Sequence, residues 1–148
     1  MRALVVLLAS MLIPVTAEPF WWVLLDTMDA NGRHVQFRYE AEALWKKPQW
    51  AAGGKGPPLS IETATKIAYD AALRESPKAS GVSFGDIKLL RNACDYSRGR
   101  VVTWFWDFSV SPVINIDGDP ARGIASVEPA RDIVILLDGE VVRPTPVK

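Results

Sequence analysis

The sequence predicts an α+β domain, with one main helix packed on an antiparallel sheet of four or more strands. Three stretches carry that prediction. The segment 59–73, LSIETATKIAYDAAL, repeats its apolar residues at a helical period and places Ile61, Ala64, Ile67, Ala68, Ala71 and Ala72 on one stripe. The segment 101–110, VVTWFWDFSV, alternates at a period of two, with Val102, Trp104, Trp106, Phe108 and Val110 on one face. In 132–143, two apolar runs flank Asp138-Gly139, a dipeptide suited to a two-residue hairpin turn. An alanine stripe lets a second element approach the helix backbone closely. The aromatic rings of 101–110 supply the bulk that such a stripe lacks.

The chain opens with a leader pattern. Arg2 supplies one positive charge, 3–13 is an apolar run, Pro14 breaks it, and Val15-Thr16-Ala17 offers small or slim residues ahead of Glu18. That is the arrangement of a secretory signal peptide cleaved after Ala17. At 1.5 Å per residue the run spans only about half of a ~30 Å hydrocarbon core, so an uncleaved membrane anchor is the weaker reading. The chain therefore divides into a signal peptide (1–17), an N-terminal strand segment with a Pro/Gly-rich loop (18–58), and a helix-plus-sheet domain (59–148). The mature protein is expected to be exported to a periplasmic or extracellular space, with no stable membrane span.

The stretch 20–25, FWWVLL, is apolar on both faces and reads as a buried strand or the start of a helix reaching Met28. Asp29-Ala30-Asn31-Gly32 is turn chemistry. The stretch 34–40 then alternates, with Val35, Phe37 and Tyr39 on one face, as the second half of a hairpin. Residues 41–45 suit one short helical turn, and 46–58, KKPQWAAGGKGPP, is a loop. Trp45 and Trp50 stand at its edge. Such a pair either grips a flat ligand such as a sugar ring or pins the loop to the domain body, and pinning is the commoner role.

Ser60 occupies the N-cap position of the main helix, Glu62, Lys66, Asp70 and Arg74 alternate in sign on its outer stripe, and Pro77 ends it. A connection at 80–85 leads to a strand at 86–94 and a polar turn at 95–100. The strand 101–110 is expected to bury its tryptophan face and to leave the other largely solvated. Thr103, Asp107 and Ser109 fit a solvated face, and Phe105 is the exception. The stretch 111–129, rich in Pro and Gly, is a long connection. Asn115, Asp117 and Asp119 surround Gly118 there, but no glutamate stands where a calcium loop needs its bidentate ligand, so an acidic turn is the reading. The tail RPTPVK is expected to be loose.

The 148 residues are 49% hydrophobic and include six tryptophans, ample for a core. Removing the leader takes one arginine with it and leaves 16 basic against 17 acidic side chains, which gives nucleic acid no attraction. Cys94 is the single cysteine, which excludes an internal disulfide, and it reads as a partly buried thiol acting as a small hydrophobe. His34 is the single histidine, on the polar face of its strand. A Cys94–His34 nucleophile and base would make a hydrolase, and it is the least favoured reading. There is no glycine-rich phosphate loop and no Cys or His pair at metal-ligand spacing. No catalytic residue, metal or cofactor is therefore predicted, and Asp107 reads as a solvated carboxylate.

The order of helix, strand, aromatic strand and Asp-Gly hairpin resembles the PepSY or PepSY-like group of small exported domains. The matching residues are Ser60, Glu62, Ala64, Ile67 and Ala68, then Trp104 and Phe105, then Asp138, Gly139 and Val141. The resemblance covers about 59–142 and leaves the 111–129 insertion and the 18–58 segment outside it. It implies a cystatin-like arrangement, one helix across a curved antiparallel sheet. It also implies a non-catalytic role at the cell envelope, which in some members is regulation or inhibition of peptidases, with an envelope protein or peptidase as partner. It carries over no catalytic residues. The alternative function is a small-ligand or glycan binder using Trp45, Trp50 and the open sheet face at Phe105.

Overall fold

The computed structural model describes residues 18–96, 99–115 and 125–147. The predicted signal peptide and most of the acidic turn around Gly118 lie outside the described residues. Over the described residues the protein is α+β, with two antiparallel sheets and few helices.

The described residues open with a hairpin of β1 (Trp21–Met28) and β2 (His34–Glu40), so 21–28 is strand, but not the buried one expected: only Leu24 of it is buried, and Trp21 and Met28 are exposed. Its turn is held by Asp29, whose Oδ1 accepts from the N–H groups of Asn31 and Arg33 at 2.9 Å each. Gly32 takes φ +72° there, a conformation that a Cβ disfavours. A single helical turn, α1 (Ala41–Trp45), leads into the loop 46–58, which contains no helix or strand.

The main helix, α2 (Ile61–Glu75), follows the sequence pattern closely. Ser60 Oγ accepts from the Thr63 N–H at 3.3 Å, Lys66 pairs with Asp70 one turn on at 2.7 Å, and the helix stops before Pro77. Ala64, Ala68, Ala71 and Ala72 are its buried residues.

A long hairpin follows, β3 (Gly81–Tyr96) with β4 (Gly99–Asn115), paired from Gly81↔Val113 to Tyr96↔Gly99. Both strands exceed their sequence-predicted lengths. Gly85-Asp86, which breaks the periodicity of the sequence, is absorbed as an irregularity between Phe84 and Ile87. Pro112 is tolerated where β4 changes neighbours. Up to Val110 it pairs with β6 (Arg131–Leu136), and from Val113 with β5 (Ala125–Val127). After the Asp138-Gly139 turn, β7 (Val141–Val142) returns along β6. Gly139 sits at φ +89° and donates to Leu136 O at 2.9 Å.

The tail is not loose. Arg143 carries the chain to the other sheet, where β8 (Pro144–Pro146) pairs antiparallel with β2. The prolines alternate, so the N–H groups of Thr145 and Val147 share one side, and Val147 donates to His34 O at 3.1 Å. On an edge strand the missing proline donors cost little and blunt the edge.

Two buried clusters lie on opposite faces of the five-stranded sheet. On one, the α2 alanines meet Trp106, Phe108, Val110, Ile133, Ile135 and Leu137. Trp106 Nε1–H donates to Leu59 O at 3.1 Å, so even the deep indole is satisfied. On the other, Leu24, Phe37 and Leu44 meet Phe105, Val134, Leu136 and Val142. The second cluster corrects the expectation of a solvated face on β4. Val101, Thr103, Phe105 and Asp107 are all buried, because β1, β2 and α1 cover that side.

Candidate functional site

The aromatic residues singled out from the sequence are not brought together. Trp50 lies on the helix side, edge-on to Trp104 with ring centroids 4.9 Å apart, and its Nε1–H donates to Lys55 O at 3.0 Å. Those contacts pin the loop. Trp45 is 37% exposed, beside Gly99 and above a 90 Å³ crevice shared with Arg100 and Val101. Phe105 is 1% exposed and belongs to the second cluster, so the open sheet face expected around it is closed.

Cys94 and His34 are also kept apart. Cys94 Sγ–H points to Asp95 O at 3.6 Å, and burial together with the Asp95 charge pushes its thiol pKa up, away from a reactive thiolate. His34 bonds to Asp26, opposite Met28. Asn92, two residues before Cys94, bonds instead to Val23 O at 3.1 Å. Val23 and Met28 are separated along β1 by about 16 Å, at ~3.3 Å per residue. A nucleophile and base need contact near 3 Å.

Asp107 corrects the solvated reading. It is 9% exposed and its Oδ1 has no hydrogen-bond partner. Burial, with repulsion from Asp132, raises its pKa from 3.8 to about 6, against the opposing attraction of Lys88.

The arrangement that offers a ligand the most is a strand edge that sequence reasoning missed. β7 gives β6 only two pairs, Val134↔Val142 and Ile135↔Val141, before Arg143 leads the chain away. Residues 131–133 of β6 therefore have β4 on one side and no strand on the other among the described residues. The Leu136 N–H donates to Glu140 O at 2.9 Å, so residue 136 faces the β7 side. By the alternation of an antiparallel ladder, the N–H and C=O of Asp132 face that side too, where no partner strand lies. A cavity of about 220 Å³ occupies the gap. Val35, Phe37, Ile133 and Val142 give it apolar walls, and Asp132 and Arg33 contribute to its polar rim.

Two polar clusters hold the ends of this edge. Arg131 donates to Ser76 Oγ at 2.7 Å, to Glu128, and to Glu75 at 3.5 Å, while the Ser76 hydroxyl donates to Glu128 at 2.7 Å. These bonds tie the C-terminus of α2 to the start of β6. At the other end Lys47 bonds to both Asp138 and Glu140, and the Tyr39 hydroxyl donates to Glu140 at 2.8 Å. Burial works against the Lys47 charge, but its carboxylate and phenol partners outweigh it and raise its pKa. Asp138 shows the converse balance, its pKa lowered by Lys47 despite burial. Both clusters brace the edge rather than offer free acids or bases.

Among the described residues no group of His, Cys, Asp and Glu is arranged to hold a metal ion. Nor is any helix among them long and apolar enough to cross a membrane. The site is chemically a hydrogen-bonding edge over an apolar cavity. No protein-family model, curated protein or solved structure matches the chain.

Proposed function

We propose that the protein is a non-catalytic binding module that takes an extended polypeptide segment into the gap beside β6. The single observation behind this reading is the backbone of Asp132, which has no strand partner on its β7 side among the described residues and faces an apolar-walled cavity. An added strand would gain main-chain hydrogen bonds there and place alternate side chains in the cavity, the general mode of strand addition at a sheet edge. The gap is three residues long, roughly 10 Å, so it suits a short segment. The aromatic small-ligand reading has less support, because Trp45, Trp50 and Phe105 do not converge.

The resemblance to PepSY-like domains supports a narrower proposal. In it, α2 with β3, β4, β6 and β7 is a cystatin-like unit of an exported protein, and the bound segment belongs to an envelope peptidase or another envelope protein. The alanine face of α2 against β4 and β6 supports the architecture.

The test uses amide hydrogen exchange with a seven-residue peptide of alternating Val and Thr. Binding is expected to slow exchange at Asp132, and Asp132→Pro, which removes the outward N–H, is expected to abolish it. Binding that ignores Asp132→Pro would place the peptide elsewhere and overturn the proposal. Recovery of one envelope peptidase by the wild-type chain but not by Asp132→Pro would support the narrower reading.

A further inference from the structure

We infer that two copies of this chain pair antiparallel through the outer edge of β3, about a two-fold axis at Ala93 that sets Arg91 of each copy against Asp95 of the other. The inference goes beyond strand docking beside β6, whose gap lies on the far side of β4 from this edge.

β3 ends the five-stranded sheet, so β4 pairs with one side of it and no strand lies on the other among the described residues. The direction of its backbone groups follows from the opposite side of the sheet. Residue 136 faces β7, so 133 and 135 face β4, and their partners 108 and 106 face β6. The alternate residues 105 and 107 then face β3, where they meet 90 and 88. The N–H and C=O groups of 87, 89, 91, 93 and 95 therefore point outward, in a register without irregularity from Ile87 to Tyr96. This run is roughly 26 Å long at ~3.3 Å per residue, more than twice the β6 gap. It carries neither proline nor bulge to blunt the edge, and Lys88, which could guard it, is tied to Asp86 at 3.0 Å. The Asn92 side chain reaches Val23 O, but no ladder joins β1 to β3.

The side chains select the occupant. Arg91, Ala93 and Asp95 share the α2 side of β3, since Arg91 stands opposite Trp104, which packs on the α2 cluster. Arg91 and Asp95 are exposed, and neither makes an ion pair among the described residues, although Arg100 stands opposite Asp95 on β4. Four residues apart on one strand, they are separated by about 13 Å and do not reach each other within one copy. An antiparallel pairing with Ala93 on the axis sets 91 against 95, 93 against 93 and 95 against 91, each pair exchanging both of its N–H···O bonds. Opposite charges then face each other twice, and the small alanine side chains meet at the axis. An axis at Arg91 would instead set two like charges face to face, which disfavours that register. Any extended strand matches the outward backbone. A second copy also supplies the two charges in the required order, because a two-fold interface joins the same patch to itself.

The experiment is sedimentation velocity over a dilution series of the protein. A ladder this short sets a reversible dimer, with Kd on the order of 10 μM. Arg91→Asp and Asp95→Arg each place like charges in both pairs, and each variant alone is expected to self-associate at least about tenfold more weakly. An equimolar mixture of the two should dimerise like the wild type, because every facing pair in the mixed dimer is then opposite in charge. That rescue also shows that both variants fold. In a second measurement, Ala93→Cys in a Cys94→Ser background is expected to cross-link to itself on oxidation, since the facing Cα atoms at the axis lie about 5.5 Å apart. Asp132→Pro should dimerise like the wild type, which separates this edge from the one beside β6. A monomer up to about 300 μM would overturn the inference. So would single variants that dimerise like the wild type, a mixture that stays monomeric, or a dimer in which the Cys at 93 does not cross-link. Loss of the dimer in Asp132→Pro would place the contact at β6 and overturn it as well.

Discussion

Asp107→Asn should change how the stability of this protein depends on pH. Asp107 sits beneath the N-terminal sheet with an unpartnered oxygen, and its pKa rises from 3.8 to about 6 through burial and the nearby Asp132 charge. A raised carboxyl pKa means that the folded state holds its proton after the unfolded chain has lost it. Stability from this group is therefore fully present below about pH 4 and is lost as pH rises through about 6. Roughly two units at 1.36 kcal/mol each set an upper value near 3 kcal/mol, and residual solvent screening brings it to about 2 kcal/mol. The assay is urea unfolding followed by tryptophan fluorescence, wild type beside Asp107→Asn, at points from about pH 4 to about pH 7.5. Other titrating groups largely cancel in the difference between the two proteins. Relative to the variant, the wild type should lose about 2 kcal/mol across that range, most of it between about pH 4 and pH 6. Asp132→Asn should move the loss to lower pH, and removing the Lys88 charge should move it higher. Parallel stability curves for wild type and Asp107→Asn would refute the burial argument.

Phe105→Ala should cost about 3–5 kcal/mol in urea unfolding, because it empties the centre of the second cluster, whereas a ring on an open face would cost under about 1 kcal/mol. Trp50→Ala should cost about 2 kcal/mol and expose 46–58 to limited proteolysis, since the indole holds the loop against Trp104; an unchanged cleavage pattern would contradict that role. Lys47→Met should weaken the fold by about 1 kcal/mol near neutral pH. The lowered pKa of Asp138 places that contribution above about pH 4 and removes it as acid protonates the carboxylate, so the two proteins should converge at low pH. Deleting 144–148 should remove hydrogen-exchange protection from the β2 amides that face β8, and unchanged exchange there would contradict the tail pairing.

Features set by neighbouring residues were legible in the sequence. The Ser60 cap, the alanine stripe, the stop before Pro77 and the Asp138-Gly139 turn all depend on contacts a few residues apart. The tryptophan face of β4 was legible for the same reason. Its other face was misread, because polar Thr103 and Asp107 resemble solvent-facing positions and what covers them comes from 18–58, far away in sequence. Phe105, the break in the alternation, was the local sign of that cover. The tail was misread because two prolines in three residues argue against a strand, and only an available edge on β2 makes such a strand possible.

By itself, then, the sequence determined the main helix, the alternating strand and the closing hairpin, since a periodic pattern and a cap act over one or two turns. The tertiary structure alone decided which faces are dry, that Asp107 lies under a second sheet, and that β6 keeps an open edge. That edge exists because the chain leaves β6 at Arg143 to pair with β2, a choice made by hydrogen bonds between segments about a hundred residues apart. No local pattern encodes it.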